Sequence, residues 1–343
     1  MSAITLVLAP TPTSQERDAT TALARCYRAS GHHVTILDGS LLGSALRLLV
    51  LLSTSSGQGS DVCDFHGARA GALSWITRVL KPGTLTVCTL HEREEFGRDQ
   101  NFWGRMHVRL GTWIAMRCAQ EIIATQKLLQ VILFHQYRRL PTYIPQGVSL
   151  PQRKSERGSS LRGLRRGTYL VVVTEQRPKD LERLRREALS AGLPGRLVSL
   201  VLAPTPGVSP HRLVVPWNTP ERDALLRHAR AIIVPRSLRY PGWLRQIALA
   251  GRPLLVVETP EHRDALHTRA EFLPNISREN LREGLRRLAR ERVRCERRAV
   301  RAARTIAHLY AWEEIAKEFL RVYRKPDLEP VLVDSLSPRV STS

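Results

Sequence analysis

The sequence has few cysteines, and they are not spaced as pairs. Disulfide frameworks and zinc sites bring cysteines at paired spacings, whereas the five here are scattered along the chain as Cys26, Cys63, Cys88, Cys118 and Cys295. Three of them, Cys63, Cys88 and Cys118, stand among apolar residues, so we expect small buried side chains in a reducing compartment. The sequence therefore predicts no metal site and no disulfide scaffold.

Long apolar segments are missing too. The longest runs from Leu41 to Leu52, is interrupted by Arg47, and falls short of the roughly 18 residues that a membrane-spanning helix needs. The N-terminus carries no basic segment followed by a cleavage site, as a secretory signal would. Both absences lead us to expect a cytoplasmic protein.

Lysine is scarce, although the chain is strongly basic. Of 53 basic residues 6 are Lys and 47 are Arg, and with 31 acidic residues the formal net charge is +22. The Arg side chains are densest over residues 153–166 and 278–304. A surface this basic attracts nucleic acid, anionic lipid or nucleotide phosphates, but a G+C-rich genome would explain the bias towards Arg equally well.

The second Arg-rich segment also has helical periodicity. Its apolar residues recur at the spacing of one helix face, as Leu281, Leu285, Leu288 and Val293. This pattern is typical of an amphipathic helix whose charged side faces solvent. Since no nucleic-acid motif accompanies it, a nucleic-acid-binding function rests on charge alone.

Strand-like and helix-like segments alternate along the 343 residues, a length that fits two domains. Such alternation is typical of an α/β fold with doubly wound parallel sheets. We predict a Rossmann-like domain over 1–150, a basic linker over 151–167, a second Rossmann-like domain over 168–305, a closing helix over 306–326 and a disordered tail over 327–343. Within these, a final amphipathic segment is predicted over 299–323.

Residues 229–266 form the clearest strand-helix-strand unit in the sequence. A buried strand over 231–234 is broken at Pro235, a helix over 243–250 is ended by Gly251, and a second strand follows over 254–257. Ligands of parallel sheets bind outside the carboxyl ends of the strands. We therefore expect a bound molecule at the loop after Val234.

Six segments, in chain order, resemble motifs of the family-4 retaining glycosyltransferases. They run from Asp61 to His66, Thr86 to His91, Glu121 to Leu129, Ile144 to Val148, Gln176 to Lys179 and Tyr310 to Tyr323, so the resemblance covers nearly the whole chain. It implies the GT-B fold, in which two doubly wound Rossmann-like domains face each other across a cleft. The implied activity is transfer of a sugar from a nucleotide-diphosphate donor, held by the second domain, to a glycan or lipid-linked acceptor held mainly by the first.

The resemblance also implies where the site residues lie. A leaving diphosphate needs cations, and Arg177 with Lys179 would supply them. His91 ends a predicted strand at the cleft and is the candidate catalytic residue, in contact with the sugar or the acceptor. His66 and Gly147 are the further candidates on the acceptor side. No cofactor is expected, because the nucleotide sugar is a substrate.

The donor motif departs from the family pattern. Two glutamates eight positions apart would fall, counting back from Gly251, on Leu238 and Gln246, and no Asp or Glu occurs between Asp223 and Glu258. An amide can still hydrogen-bond a ribose hydroxyl, which keeps Gln246 as a donor-binding candidate. Two further candidates are Arg236 and Arg239, which together with Arg245 would replace carboxylate contacts with phosphate contacts.

These departures leave a second reading open. A protein that has lost its donor carboxylates could be a catalytically inactive GT-B pseudoenzyme that serves as a structural or partner-binding subunit. Its Arg-rich faces would then bind an acidic protein partner. For the active enzyme, the basic patches would instead help it dock to the anionic inner face of a membrane, at about 1 kcal/mol per well-placed basic residue. Nucleic-acid binding is the third and weakest hypothesis.

Overall fold

The computed structural model describes residues 2–8, 14–38, 61–91, 102–150, 164–174, 181–201, 214–216, 222–236, 238 and 241–324. The chain divides into two units, the first made of Met1–Gly147 with Trp312–Ser343 and the second of Val148–Ala311. The predictions of a buried helix over 41–52, of most of the linker and of the tail over 327–343 lie outside the described residues.

Twelve strands are described, and they form two parallel sheets. The strands are β1 Ala3–Leu8, β2 His33–Leu37, β3 Val62–His66, β4 Leu85–Leu90, β5 Glu121–Ala124, β6 Thr142–Tyr143, β7 Leu170–Thr174, β8 Leu197–Val201, β9 Val214–Pro216, β10 Ala231–Val234, β11 Leu254–Val257 and β12 Glu271–Leu273. The first unit has the order β2-β1-β3-β4-β5-β6 and the second β12-β11-β10-β7-β8-β9.

Twelve helices connect and cover the described strands. They are α1 Ser14–Ala29, α2 Ala68–Gly71, α3 Ser74–Leu80, α4 Phe102–Cys118, α5 Lys127–Tyr137, α6 Leu181–Ser190, α7 Arg222–His228, α8 Pro241–Ala248, α9 Pro260–Leu266, α10 Arg278–Arg290, α11 Arg292–Leu309 and α12 Trp312–Tyr323. The predicted alternation of strands and helices is therefore confirmed.

The central strand of the second sheet is buried on both faces. Along β7 and the residue before it, Tyr169, Val171 and Val173 pack into one hydrophobic cluster, while Leu170 and Val172 pack into another. Because side chains alternate along a strand, a strand covered on both sides needs apolar residues at every position. This requirement explains the continuous apolar runs in the sequence.

Side-chain caps and a glycine set several helix ends. The Oγ of Ser277 accepts a hydrogen bond from the backbone N–H of Asn280 at 3.2 Å, so the predicted cap of α10 is confirmed. The side chain of Thr259 caps α9 in the same way. Gly251 has a φ of +64°, a left-handed conformation that glycine adopts readily, and it follows α8 as predicted.

The amphipathic segment predicted over 299–323 is two helices, α11 and α12. Between them, the carbonyl of Tyr310 accepts a hydrogen bond from the backbone N–H of Val148 at 2.7 Å, and Ala311 forms a parallel bridge with Val148. The break is imposed by pairing with a segment far away in sequence. The periodicity of apolar residues carries no signal of such a pairing.

Three smaller differences concern short elements and one cysteine. The helix α9 and the strand β12 were not predicted, and the helix predicted over 71–80 is split into α2 and α3. Cys63 and Cys88 are fully buried as expected, but Cys118 is only partly buried. It is the last residue of α4.

The strand orders show where each sheet changes direction. In the second sheet the direction of winding reverses between β7 and β10, and in the first between β1 and β3. Ligands of such sheets bind at this switch point, beyond the carboxyl ends of the strands. The loop after Val234, predicted as the ligand site, therefore stands at the switch point of its sheet.

Candidate functional site

Two histidines lie side by side at the carboxyl edge of the first sheet. His66 is the last residue of β3, and His91 follows β4 directly; the exposed fractions of the two residues are 0% and 3%. The Nδ1 of His66 and the Nε2 of His91 are 2.9 Å apart, a hydrogen-bond distance. The two residues that sequence analysis predicted separately are thus brought together as one pair.

Strand register and backbone contacts position this pair. His66 stands opposite Thr89 in the parallel pairing of β3 with β4, which places His91 two residues further on the same face. The carbonyl of His91 accepts hydrogen bonds from the Thr125 hydroxyl at 2.9 Å and from the Gln126 amide at 3.1 Å. These contacts fix the backbone of His91 at the end of β4.

A buried carboxylate lies behind the pair. One oxygen of Asp64 is 3.4 Å from the Nε2 of His66. The same carboxylate accepts hydrogen bonds from the Tyr323 hydroxyl at 2.6 Å and from the Thr89 hydroxyl at 2.8 Å. The hydroxyl of Tyr27 in turn donates to that of Tyr323 at 3.3 Å. We call Tyr27, Tyr323, Asp64, His66 and His91 the histidine relay.

The surroundings fix the charges within the relay. Burial alone raises the pKa of Asp64, but the charge of His66 and the hydrogen bonds from His66, Tyr323 and Thr89 outweigh burial and lower that pKa below 3.8. Burial, followed by the repulsion of His66, lowers the pKa of His91 to about 3, against a smaller opposing effect of Asp64. At neutral pH Asp64 is therefore ionised and His91 is neutral.

The relay ends in a nitrogen atom that can accept a hydrogen bond. With Asp64 ionised, the Nε2–H of His66 faces the carboxylate, so the Nδ1 of His66 accepts the Nε2–H of His91. The Nδ1 of His91 then keeps a lone pair, and this atom has no hydrogen-bond partner among the described residues. With a pKa of about 3, His91 stays neutral at physiological pH and can accept a hydrogen bond at this atom.

The sequence contained part of the signal for this arrangement. Asp64 and His66 are two residues apart in an otherwise apolar strand, and Thr89 and His91 are likewise two apart around the end of the next strand, so each pair shares a face. Sequence analysis missed Asp64 and Thr89 because it weighed each motif alone. Tyr323 comes from α12 and has no local signal at all.

The donor-side candidates lie in the second unit, and the structure describes two of them. Arg236 is exposed just beyond β10, whereas Arg177, Lys179 and Arg239 lie outside the described residues. The amide of Gln246 donates to the carbonyl of Ser149 at 2.9 Å and accepts from its N–H at 3.0 Å. One of the two N–H groups of the Gln246 amide is thus bonded to the backbone.

A buried histidine fixes the loop after β10. The Nδ1–H of His262 donates to the carbonyl of Val257 at 2.7 Å, and its Nε2 accepts from the N–H of Leu238 at 3.0 Å. Burial lowers the pKa of His262, and the bond to Val257 opposes this only in part. Leu238, at the position of the family's first glutamate, is 2% exposed and packs with Leu244. Sequence analysis gave His262 no role.

Two other positions bear on the predicted donor and acceptor sites. Thr174 ends β7 at the switch point, and its buried hydroxyl has no hydrogen-bond partner within the described part of the chain. Gly147 packs against Trp312 so closely that a Cβ there would lie 2.4 Å from the indole ring. The close packing of Trp312 on Gly147 is thus possible only because glycine has no side chain. This holds whether or not Gly147 has a role in binding.

Much of the second Arg-rich segment is paired with carboxylates. Glu187 accepts from Arg278 and Arg282, each at 2.8 Å, and Glu271 pairs with Arg287 and Arg298. These pairs neutralise charge that a nucleic-acid backbone would otherwise attract.

Among the described residues no cluster of His, Cys, Asp and Glu is arranged to hold a metal ion, and none of the described helices is both long and apolar enough to span a membrane.

Comparison with known proteins shows the fold. No family model and no curated protein matches the sequence. Among solved structures, the sucrose-phosphate synthase of Thermosynechococcus elongatus is similar over 94% of this chain and 98% of its own, with a TM-score of 0.71 and 14% identity. Anabaena HepE in complex with UDP and glucose is similar over 94% and 99%, with a TM-score of 0.68 and 12% identity.

A third similar structure belongs to a protein described as a UDP-N-acetylglucosamine 2-epimerase from Listeria monocytogenes. It is similar over 93% of this chain and 95% of its own, with a TM-score of 0.58 and 13% identity. At such identities the likeness shows the fold alone. The prediction of a GT-B fold, with a parallel Rossmann-like sheet in each of two units, is confirmed.

Proposed function

We propose that this protein transfers a sugar from a nucleotide-diphosphate donor to a glycan or lipid-linked acceptor, as the family-4 retaining glycosyltransferases do. The observation that carries the proposal is the histidine relay at the carboxyl edge of a sheet, in a fold that elsewhere holds UDP with glucose. A neutral, buried nitrogen with a free lone pair suits contact with a sugar hydroxyl.

The donor would bind at the switch point of the second sheet. Its diphosphate would be held by the cationic loops after β7 and β10, which carry Arg177, Lys179, Arg236 and Arg239. The remaining N–H of Gln246 would donate to a ribose hydroxyl. The UDP and UDP-glucose bound in similar structures of HepE support this assignment.

The acceptor side would be formed around His91. Its Nδ1 would accept a hydrogen bond from a hydroxyl of the sugar or of the acceptor, and His66 and Asp64 would stabilise any charge that forms. Retention of the anomeric configuration follows from the family resemblance. A product with inverted configuration would contradict that resemblance.

The test combines binding with turnover. Titration calorimetry with UDP, GDP, ADP and dTDP would identify the nucleotide, and release of diphosphate from a panel of the corresponding sugars would measure transfer. We expect Arg236→Ala to weaken nucleotide binding about tenfold, the loss of one charged phosphate contact. The exposed Arg186 on α6 supplies the control, since Arg186→Ala should leave binding unchanged.

The outcomes separate the proposals. Binding without turnover would contradict transfer, and conversion of the donor sugar into its epimer would replace it with a different reaction. Failure of every nucleotide to bind a well-folded protein would refute the donor site itself. With turnover in hand, His91→Asn should lower kcat more than it changes nucleotide affinity, because His91 lies outside the donor unit.

The second candidate function is that of an inactive GT-B subunit. The specific observation in its favour is that Leu238 is buried in the core where the family has a glutamate, while the amide of Gln246 is bonded to backbone. Such a protein would use its Arg-rich surface to hold an acidic partner. Micromolar binding of a nucleotide-diphosphate sugar would rule out its simplest form.

A further inference from the structure

The helix α4 turns its bulky apolar side towards solvent. Phe102 and Trp103 are 66% and 62% exposed, and Met106, Leu110 and Trp113 are each about half exposed. The spacing of these residues places all five on one side of the helix. An exposed apolar stripe of this size, with two indole rings in it, marks an interaction surface.

The opposite side of α4 is held by small residues. A Cβ on Gly111 would lie 2.4 Å from the carbonyl oxygen of Ala68, and one on Gly71 would lie 2.9 Å from the Cβ of Ala115. The helix backbones approach closely through these positions, so a larger side chain cannot replace them there. The apolar stripe is therefore fixed in its outward orientation by the packing behind it.

The neighbouring helix α3 extends the apolar surface. It packs against α4, and its exposed apolar residues are Trp75, Val79 and Leu80, of which Val79 is 67% exposed. We call the exposed apolar residues of the two helices the α3/α4 patch; they are Trp75, Val79, Leu80, Phe102, Trp103, Met106, Leu110 and Trp113.

The charged side chains on α3 and α4 themselves are all basic. Neither α3 nor α4 contains an acidic residue, while Arg78, Arg105, Arg109 and Arg117 are exposed on them. The guanidinium of Arg117 lies 5.9 Å from the ring centre of Trp113. A second copy of this chain, with its net charge of +22, would bring like charges together. The partner that complements this patch therefore has an apolar interior and an anionic surface.

We propose that the α3/α4 patch docks on an anionic lipid bilayer. The aromatic and aliphatic side chains enter the boundary between headgroups and acyl chains, where indole rings are favoured. The arginines stay at the level of the lipid phosphates, with their stems along the apolar surface. The helix thus lies on the membrane without crossing it, and the inference does not depend on the proposed enzymatic function.

The experiment is sedimentation of the full-length protein with vesicles. We expect binding to vesicles of phosphatidylcholine with phosphatidylglycerol, little binding to phosphatidylcholine alone, and weakening by salt. The double variant Trp103→Ser with Trp113→Ser should reduce partitioning at least about tenfold, from the apolar area lost. Arg105→Glu with Arg109→Glu should abolish the preference for anionic lipid.

A matched control comes from exposed apolar residues elsewhere. Val293 and Val300 on α11 are 58% and 43% exposed, and replacing both with Ser should leave partitioning unchanged. Wild-type protein that stays in the supernatant would overturn the proposal, as would tryptophan variants that bind like wild type while keeping their circular dichroism spectrum. A wild-type dimer in solution that the tryptophan variant dissociates would assign the patch to a second copy instead.

Discussion

The substitution Tyr323→Phe removes one oxygen atom from the centre of the histidine relay. Its hydroxyl donates to the Asp64 carboxylate at 2.6 Å and accepts from the Tyr27 hydroxyl at 3.3 Å. The ring, which packs edge-on against Tyr27 and Phe319, is retained in the variant. The change therefore measures the contribution of the two hydrogen bonds while the packing of α12 within the first unit is kept.

The expected cost follows from the charge of the acceptor. A hydrogen bond to an ionised group contributes about 1.5 to 3 kcal/mol, and a long neutral one lies near the lower end of about 0.5 to 1.5 kcal/mol. After the substitution, the buried Asp64 keeps the Thr89 hydroxyl and the nearby His66, but no group replaces Tyr323. We expect the free energy of unfolding to fall by about 2 to 3 kcal/mol at neutral pH.

The effect should depend on pH in a defined direction. The pKa of Asp64 is lower in the folded state than its ordinary value of 3.8, so its stabilising contribution is present above that value and is lost as pH falls through the lower folded pKa. Tyr323→Phe removes a hydrogen bond to the charged form and raises the pKa of Asp64. The variant should lose stability at a higher pH than wild type, and the difference should shrink once Asp64 is protonated in both.

Urea unfolding, followed by circular dichroism from about pH 7 to about pH 3, measures both effects. Tyr310→Phe is the matched control, because it lies in the second unit and keeps the ring that stacks under Arg245 at 4.3 Å. A loss below about 0.5 kcal/mol, within the range of ordinary surface substitutions, would refute the assignment of a charged hydrogen bond. A difference that stayed constant across the acid range would refute the ionised state of Asp64.

Three further predictions concern single side chains. The pKa of His91 is about 3 in the folded state, below its unfolded value of about 6.5. Between these two values, falling pH should lower the free energy of unfolding by up to about 1.4 kcal/mol per pH unit. In urea titrations, His91→Asn should remove this dependence on pH. Gly147→Ala should cost about 1 to 3 kcal/mol in thermal unfolding, because its Cβ meets an indole ring. Gln246→Ala should cost about 1 kcal/mol in urea unfolding, since two hydrogen bonds to the backbone of Ser149 are lost at a partly exposed position.

Each of these has a control or a contradicting result. Gly83→Ala should be tolerated, because its Cβ would meet no atom within 4 Å; equal losses at both glycines would contradict the steric argument. The exposed His33 provides the control for His91, and an unchanged acid slope in His91→Asn would contradict the low pKa. A Gln246→Ala variant as stable as wild type would show that its contacts with Ser149 contribute nothing.

The candidate site could be predicted only in part. His66 and His91 were found because polar residues at the ends of apolar strands are conspicuous, and parallel strands end at the same edge of a sheet. The contact between the two histidines and the position of the ionised Asp64 behind them depend on the register of the strands, which cannot be read from the sequence. The hydrogen bonds that Tyr323 and His262 make were out of reach, because each joins segments that only folding brings together.

The sequence by itself determined the strands and most of the helices. Short apolar runs predicted β10 and β11 at the residues where they occur, with Pro235 ending the first and Pro253 preceding the second, because backbone hydrogen bonding and side-chain alternation act over a few residues. The tertiary structure decided which faces those elements bury. In α4 the sequence pattern indicates one side of bulky aromatic and aliphatic residues and one side of small residues. From the size of the side chains alone, the bulky side would be expected in the core. The side with Gly111 and Ala115 is inside instead, because only small residues allow the close approach to α2.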